Sequence, residues 1–273
     1  MKEKFYLLSF FVLFSFFAQA QDEVGYAESE FTESSARRDW RFKLAPYAWL
    51  AGQATDVNDE RLRQSFNDLT SLTNFGMQLA GKIYYKKWFV SSNLTYAKLG
   101  DDGQESFVQY DLGINQIILD NKIGYVLIDH LDYDNNDIID GWAMEVTLGA
   151  IYWLNDINFK YTIPIGDILP PITGNLSETQ KWWDPVVGTS FRLILSKSVL
   201  MSLQTNIGGF GLGNASDFYY DLSYLNTFKV SKLLTVTAGY KTFQYKRIEG
   251  SGEERIKTNV TTFGPLLGVT MNF

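Results

Sequence analysis

The sequence predicts an all-β fold, an antiparallel up-and-down transmembrane β-barrel of about ten strands, with eight to twelve possible. Three observations predict it. The chain begins with the pattern of a secretory signal peptide, and most of the remainder alternates between apolar and polar residues with a period of two. The last residues alternate in the same way up to a terminal Phe273.

Composition narrows the class of protein before any element is placed. The 273 residues include 7 Trp, 16 Tyr and 20 Phe, so aromatic residues make 16% of the chain, which is dense for a soluble domain. The absence of Cys excludes disulfides, thiolate metal sites and cysteine nucleophiles, and a single His excludes a His-rich metal site. The net charge of −7 argues against a nucleic-acid partner, and a mean hydropathy of −0.12 argues against a bundle of membrane helices.

The N-terminal residues have the three parts of a secretory signal peptide. Lys2 and Lys4 precede an apolar run over 5–17, and Ala18-Gln19-Ala20 is a small-x-small cleavage site. We therefore expect a signal peptide over 1–20, cut near Ala20-Gln21, and a location in the bacterial outer membrane. The acidic, Ser-rich residues 21–39 are predicted to be a flexible periplasmic lead, and 40–273 are predicted to form the barrel.

Ten segments alternate with the period of a β-strand and are bounded by Gly, Asn and Asp. The predicted strands are 40–52, 74–86, 88–99, 107–127, 141–155, 182–196, 199–211, 218–230, 233–247 and 256–273. An even number of strands is typical of single-chain bacterial barrels.

The predicted connections alternate in length, as the periplasmic turns and outer loops of such barrels do. Short ones are expected near 86–87, 196–198 and 230–232, and long ones over 53–73, 156–181 and 248–255. Within the first long connection, apolar residues near helical spacing predict a short amphipathic helix over 58–72. The acidic segment 128–140 is the exception, a long turn on the short side.

Alternation alone does not say which face points inward. The polar faces are rich in Gly, Ser, Thr, Asn and Gln with few charges, which favours a membrane barrel with a polar lumen. Aromatic residues cluster near strand ends, as interfacial girdles do; they are Trp40, Tyr85, Trp88, Trp142, Tyr152, Trp182, Trp183, Phe218 and Phe228. A soluble secreted β-barrel that binds an apolar ligand, with its apolar faces inward, stays as an alternative.

The predicted lumen faces carry charges of both signs. They are Lys82, Glu145, Asp184, Arg192, Asp221, Lys229 and Lys241. Because unpaired buried charge is costly, we expect these side chains to pair and to fill the lumen as a plug. The alternative is a selectivity lining for a small polar solute. About ten strands enclose little more than the eight-stranded barrel that side chains nearly fill, which argues against a wide diffusion pore.

Residues that could support catalysis are few. Outer-membrane hydrolases and acyltransferases need a base near the outer rim, and the only His, His130, is expected in a turn on the opposite side. The run over 208–213 is Gly-rich but opens no helix, so it is interpreted as a bend at the barrel rim and not as a phosphate loop. The acidic segment lacks the Gly and Glu of a calcium loop. No catalytic, cofactor or metal residue is predicted, and an embedded hydrolase or acyltransferase acting on envelope lipid or peptide remains an alternative function.

The C-terminal residues resemble the insertion signal of bacterial outer-membrane barrels. This signal consists of Leu267, Val269, Met271 and Phe273. The expected partners are therefore outer-membrane lipid and the barrel-assembly machinery, and the oligomeric state stays open.

Five motifs, in chain order over about 40–273, resemble a family of uncharacterised bacterial outer-membrane β-barrel proteins. They are Pro46-Tyr47-Ala48-Trp49, the stretch from Phe66-Asn67-Asp68-Leu69 to Phe75-Gly76-Met77, Trp182-Trp183-Asp184-Pro185-Val186-Val187-Gly188, Ile207-Gly208-Gly209-Phe210-Gly211, and Gly264-Pro265-Leu266-Leu267-Gly268. The acidic turn 129–140 departs from the family by its length. The resemblance implies an outer-membrane barrel and no catalytic residues. The expected role is thus structural or that of a narrow small-solute channel.

Overall fold

The computed structural model describes residues 39–58, 60–64, 73–105, 108–134, 137–164, 171–231, 233–250 and 255–272. Its strands are β1 (Trp40–Trp49), β2 (Gly52–Val57), β3 (Glu60–Gln64), β4 (Thr73–Tyr85), β5 (Trp88–Glu105), β6 (Val108–Asp134), β7 (Asp137–Ile163), β8 (Ile172–Ser196), β9 (Val199–Gly208), β10 (Phe218–Lys229), β11 (Leu234–Glu249) and β12 (Ile256–Asn272). The predicted signal peptide and nearly all of the predicted lead lie outside the described residues. None of the described segments contains a helix long and apolar enough to cross a bilayer.

The strands close into one barrel. Each pairs antiparallel with its neighbour in the order β1, β4, β5, β6, β7, β8, β9, β10, β11, β12, and β12 returns to β1. The wall therefore has ten strands, and the predicted fold class is confirmed. The hairpin of β2 and β3 adds to β12 beyond the end of β1 and raises the wall there.

The two ends of the barrel differ. We call the end with the connections at 86–87, 197–198 and 230–233 the turn end, and the opposite end the loop end. β1 begins and β12 ends at the turn end, where Lys43 pairs with Asn272.

Apolar side chains cover the outside of the barrel and polar ones line its lumen. On β1, Trp40 and Phe42 are 54% and 44% exposed, whereas the alternate residues Arg41 and Lys43 are half-buried. The same alternation holds on β7, where Leu148 is exposed and Glu145 is buried. Because the apolar faces point outward, the alternative of a soluble barrel with an apolar interior is wrong.

Aromatic pairs bound the apolar outer surface. Trp88 and Tyr125 are in contact near the turn end, with ring centroids 4.9 Å apart, and Tyr152 and Trp183 are 4.7 Å apart nearer the loop end. On β7, ten residues separate Trp142 from Tyr152, which is about 33 Å of strand and about 25 Å along the barrel axis at a usual tilt. That height matches the apolar band of a transmembrane barrel.

Trp182 does not belong to these girdles, contrary to the prediction. It is 1% exposed and faces the lumen. Successive side chains of a strand point to opposite faces. Trp182 therefore shares the inward face of β8 with Asp184, whereas Trp183 lies on the outward face.

The acidic segment 128–140 is not a long turn. β6 and β7 continue as a paired hairpin as far as Asp134 and Asp137. His130 therefore lies on a strand opposite Trp142, with ring centroids 5.2 Å apart. Acidic and Asn residues disfavour strands locally, but the ladder of hydrogen bonds with the partner strand overrides that preference.

The predicted long connections are largely strand as well. Within the predicted helix 58–72, residues 60–64 form β3, and 65–72 lie outside the described residues. Pairing with β2 satisfies this backbone in place of helical hydrogen bonds. The predicted connection over 156–181 is reduced to the residues between β7 and β8, so β6, β7 and β8 rise beyond the apolar band at the loop end.

The C-terminal segment lies on β12 as alternation predicts. Leu267 is 52% exposed on the outer face, and Gly268 is buried on the inner one. Phe273 lies outside the described residues. The role of this strand as an insertion signal stays a prediction.

Candidate functional site in the barrel lumen

A buried carboxylate ties three strands together across the lumen at the turn end. Glu145 on β7 is 1% exposed, and its Oε2 lies 2.6 Å from Nζ of Lys82 on β4. Its Oε1 accepts a hydrogen bond of 2.9 Å from the Tyr84 hydroxyl and lies 3.2 Å from Nη2 of Arg192 on β8. β4 and β7 are three ladder steps apart, about 14 Å along the wall. The ion pair therefore reaches through the lumen. Because the group is buried, removing one charged partner would leave the opposite charge poorly compensated, which is unfavourable.

A second acidic group is held by neutral donors. Asp221 on β10 accepts hydrogen bonds from Nδ2 of Asn206 at 2.8 and 2.9 Å and from the Tyr219 hydroxyl at 2.8 Å. The Lys241 ammonium lies over the ring of Trp49, 5.2 Å from its centroid. These contacts come from β1, β9, β10 and β11, so they immobilise the other side of the lumen.

The turn-end cavity between these groups has a volume of about 310 Å³. Among the described residues it is lined by five basic and three acidic side chains, which are Lys43, Lys82, Lys122, Arg192, Lys241, Asp120, Glu145 and Asp221. The local charge is therefore positive, whereas the whole chain carries −7.

The structure brings five of the seven predicted lumen charges to this cavity: Lys82, Glu145, Arg192, Asp221 and Lys241. Lys229 lies half-buried near the turn end of β10 and outside the cavity lining. Asp184 lies beyond it toward the loop end and is fully buried.

Asp184 holds a loop and does not line the cavity. It accepts hydrogen bonds from the backbone N–H of Ser216 at 2.6 Å, from the Ser216 hydroxyl at 2.9 Å, and from Nε1 of Trp182 at 3.1 Å. Ser216 belongs to the Gly-rich connection 209–217, so this carboxylate fastens that connection to the barrel wall.

Sequence reasoning missed two lining groups on β6. Asp120 and Lys122 are an ion pair within hydrogen-bonding distance on the inward face. The predicted strand 107–127 covers them, but its alternation is irregular because its outward residues include Asp111 and Asn115. The alternation of Asp120, Lys122 and Gly124 was the available signal.

An aromatic layer crosses the lumen above the turn-end cavity. Trp153 on β7 lies 5.6 Å, between ring centroids, from Phe243 on β11, although four ladder steps, about 19 Å of wall, separate the strands. Trp153 also stacks on Trp182 at 5.5 Å, and Phe243 contacts Trp49 of β1 at 5.5 Å. We call the cluster of Trp49, Ile118, Ile151, Trp153, Trp182, Val186, Tyr219, Phe243, Tyr245 and Val260 the aromatic layer.

A second cavity of about 560 Å³ lies on the loop-end side of the aromatic layer. Trp49, Trp153 and Phe243 form its floor, and its walls combine aliphatic side chains with amide and hydroxyl side chains of seven strands. The amide and hydroxyl residues include Gln53, Gln78, Thr95, Gln116, Asn155, Gln180 and Thr262. Asp101 is its one acidic lining residue in the part of the chain that the structure describes, and no basic one lines it there. The lumen is thus two chemically different compartments with an aromatic layer between them.

His130 lines neither cavity. Its side chain is exposed on the outer face near the turn end and contacts Trp142. Within the described ranges, no three His, Asp or Glu residues are grouped as metal ligands would be.

The similarity to one solved structure, OmpT, supports the fold. No protein-family model matches the sequence, and no curated protein matches it either. The outer membrane protease OmpT from Escherichia coli superposes with a TM-score of 0.51 at 9% identity, over 87% of this chain and 98% of that one. The attachment invasion locus protein Ail of Yersinia pestis, in complex with the heparin analogue sucrose octasulfate, matches 86% of this chain and 100% of its own at 10% identity and a TM-score of 0.35. A Pseudomonas aeruginosa FadL homologue matches 89% of this chain and 92% of its own at 8% identity and a TM-score of 0.35.

The similarity to OmpT shows the fold alone, because the identity is only 9%. The predicted resemblance to outer-membrane barrels is confirmed at that level. The five family motifs stay a prediction.

Proposed function

We propose that this protein is a bacterial outer-membrane β-barrel that forms a narrow pathway for a small polar solute, and that the aromatic layer closes this pathway. The contact between Trp153 and Phe243 carries the proposal, because it joins opposite walls and leaves a cavity on each side. A purely structural barrel has no need of two cavities in series.

The outer surface supports the membrane location. The apolar band of about 25 Å between the aromatic girdles fits a bilayer, and exposed apolar residues such as Leu148 and Leu267 would lie against lipid tails. The expected interaction of β12 with the barrel-assembly machinery belongs to the same proposal.

The lumen supports transport over catalysis. Glu145 and Asp221 are occupied by the cations and donors described above, and His130 is on the outer face near the turn end. A hydrolase needs a nucleophile and base within hydrogen-bonding distance of one another at a substrate cavity. Among the described residues the loop-end cavity offers amides, hydroxyls, aromatic rings and aliphatic side chains, with Asp101 as its one carboxylate and no His.

Planar-bilayer conductance of the refolded protein tests the proposal. The wild type is expected to be almost silent, and Phe243→Ala is expected to give discrete small openings because it removes one ring from the closed layer. The matched control is Phe263→Ala, which removes an outward ring of β12 that is 42% exposed, and it should stay as silent as the wild type. Heat-modifiable migration on gels shows that each variant is folded.

Two results would overturn the pathway. Large constant conductance of the wild type would show that the aromatic layer does not close the lumen. Silence of both Phe243→Ala and the double variant with Trp153→Ala, with the fold intact, would show a structural barrel.

A further inference from the structure

The loop-end cavity has the chemistry of a binding site for a neutral, polyhydroxylated solute. Its volume of about 560 Å³ lies within the range of about 300–1,000 Å³ that small-molecule sites have. Its floor is aromatic, and its walls carry amides and hydroxyls among aliphatic side chains such as Leu112 and Ile157. We infer that this cavity binds a small uncharged sugar, which deepens the proposed function by naming the class of solute.

The walls suit hydroxyl groups because a hydroxyl is both a donor and an acceptor, as is a carboxamide. Nε2 of Gln116 donates to Oδ1 of Asn155 at 3.0 Å. This pair leaves a carbonyl on Gln116 and an NH₂ group on Asn155, both on the cavity wall. The pair thus offers one acceptor and one donor side by side, which is the pattern that neighbouring hydroxyls of a sugar can satisfy together.

The aromatic floor of the cavity suits the apolar face of a sugar ring. A pyranose has a face of C–H groups, and the negative faces of aromatic rings attract the positive edges of such groups. Trp49, Trp153 and Phe243 present several ring orientations to the cavity, since Trp49 and Trp153 each contact Phe243 at inclined angles of 50° and 65°.

The lining of the loop-end cavity argues against anionic, cationic and apolar solutes. Asp101 would repel an anion, and the basic residues of the turn-end cavity lie on the far side of the aromatic layer. A cation would meet one carboxylate, whose Oδ2 already accepts a hydrogen bond of 3.1 Å from the Tyr110 hydroxyl. An apolar solute would leave the amides of the walls unpaired, which is unfavourable.

The test is isothermal titration calorimetry of the refolded full chain in a detergent without a sugar headgroup. The probes are glucose, sucrose and maltose, with glucuronate and glucosamine as charged counterparts. Saturable heat is expected from at least one neutral sugar in the millimolar range, at least tenfold stronger than from its charged counterparts.

Gln116→Leu and Asn155→Leu are each expected to weaken that binding by about tenfold, the equivalent of one hydrogen bond. Asn115→Leu is the matched control, because Asn115 is the adjacent amide of β6 on the opposite face and pairs with Asp156 of β7. It should leave the affinity unchanged.

Absence of saturable heat from all three neutral sugars would overturn the inference, as would an equal loss of affinity in Asn115→Leu. These results are separable from the proposed function. Openings of Phe243→Ala without sugar binding would reject the solute class alone, and sugar binding by a barrel that stays silent in every variant would reject the pathway alone.

Discussion

The carboxylate of Asp184 on β8 accepts two hydrogen bonds from Ser216, one from its backbone N–H and one from its hydroxyl. Both residues are fully buried, and 32 positions separate them. The contact joins two of the motifs noticed in the sequence, the Trp-Trp-Asp-Pro strand and the Gly-rich connection, at one point of the lumen. The same connection requires glycine at position 209, because Gly209 has a φ of 80° and a Cβ there would meet the Ser216 carbonyl oxygen at 2.4 Å.

Asp184→Ala should release the connection 209–217. The backbone N–H of Ser216 and Nε1 of Trp182 lose their acceptor, and each unsatisfied buried donor costs about 1–3 kcal/mol. We expect a lower urea midpoint of unfolding and faster proteolysis within 209–217 of the folded barrel. Asp217→Ala is the control, since Asp217 is exposed, and it should change neither measurement. Unchanged proteolysis in Asp184→Ala would contradict the anchoring role.

Glu145→Ala should destabilise the barrel more than removal of an exposed carboxylate. It leaves Lys82 and Arg192 without the carboxylate that joins them, and breaking a buried ion pair from one side typically costs about 3–5 kcal/mol. Unfolding in urea, followed by gel mobility, measures the loss. The control is Glu178→Ala on the exposed loop-end part of β8. Adding Lys82→Met to Glu145→Ala should recover part of the stability, and a further loss would show that Lys82 has another role.

Arg192→Ala should leave the conductance silent by itself but enlarge the openings of Phe243→Ala. Arg192 narrows the turn-end cavity, whereas the aromatic layer closes the lumen in series with it. Single-channel recording of the two single variants and the double variant separates these contributions. Openings in Arg192→Ala alone would mean that the ion pairs, and not the aromatic rings, form the closed point.

Leu148→Arg should destabilise the protein in lipid vesicles by about 2–4 kcal/mol, because an arginine at the middle of the lipid-facing band is desolvated there. Leu148 is 60% exposed and lies between Trp142 and Tyr152 on β7. Asn158→Arg, on the outer face of the same strand beyond the band, is the control and should cost less than about 1 kcal/mol. Equal stabilities of the two variants would place the membrane elsewhere on the barrel.

The alternation of apolar and polar residues predicted the strands well within the apolar outer band and poorly beyond it. Within the band, residues such as Leu148 and Glu145 alternate, because one face meets lipid and the other the lumen. Beyond it, both faces meet water, so the alternation disappears and the strand continuations at 128–140 and 156–163 looked like turn and loop. Only the partner strand's hydrogen bonds reveal them.

The sequence by itself determined that the chain alternates as a barrel of about ten strands, because a period of two can be read residue by residue, and the composition of the polar faces favoured a polar lumen. The tertiary structure decided that the apolar faces point outward and which of the inward residues meet. Glu145 reaches Lys82 and Arg192, and Trp153 reaches Phe243, because closure and strand register bring distant walls within a few ångströms of each other. That register is a sum of pairings around the whole barrel, which no local stretch of sequence contains.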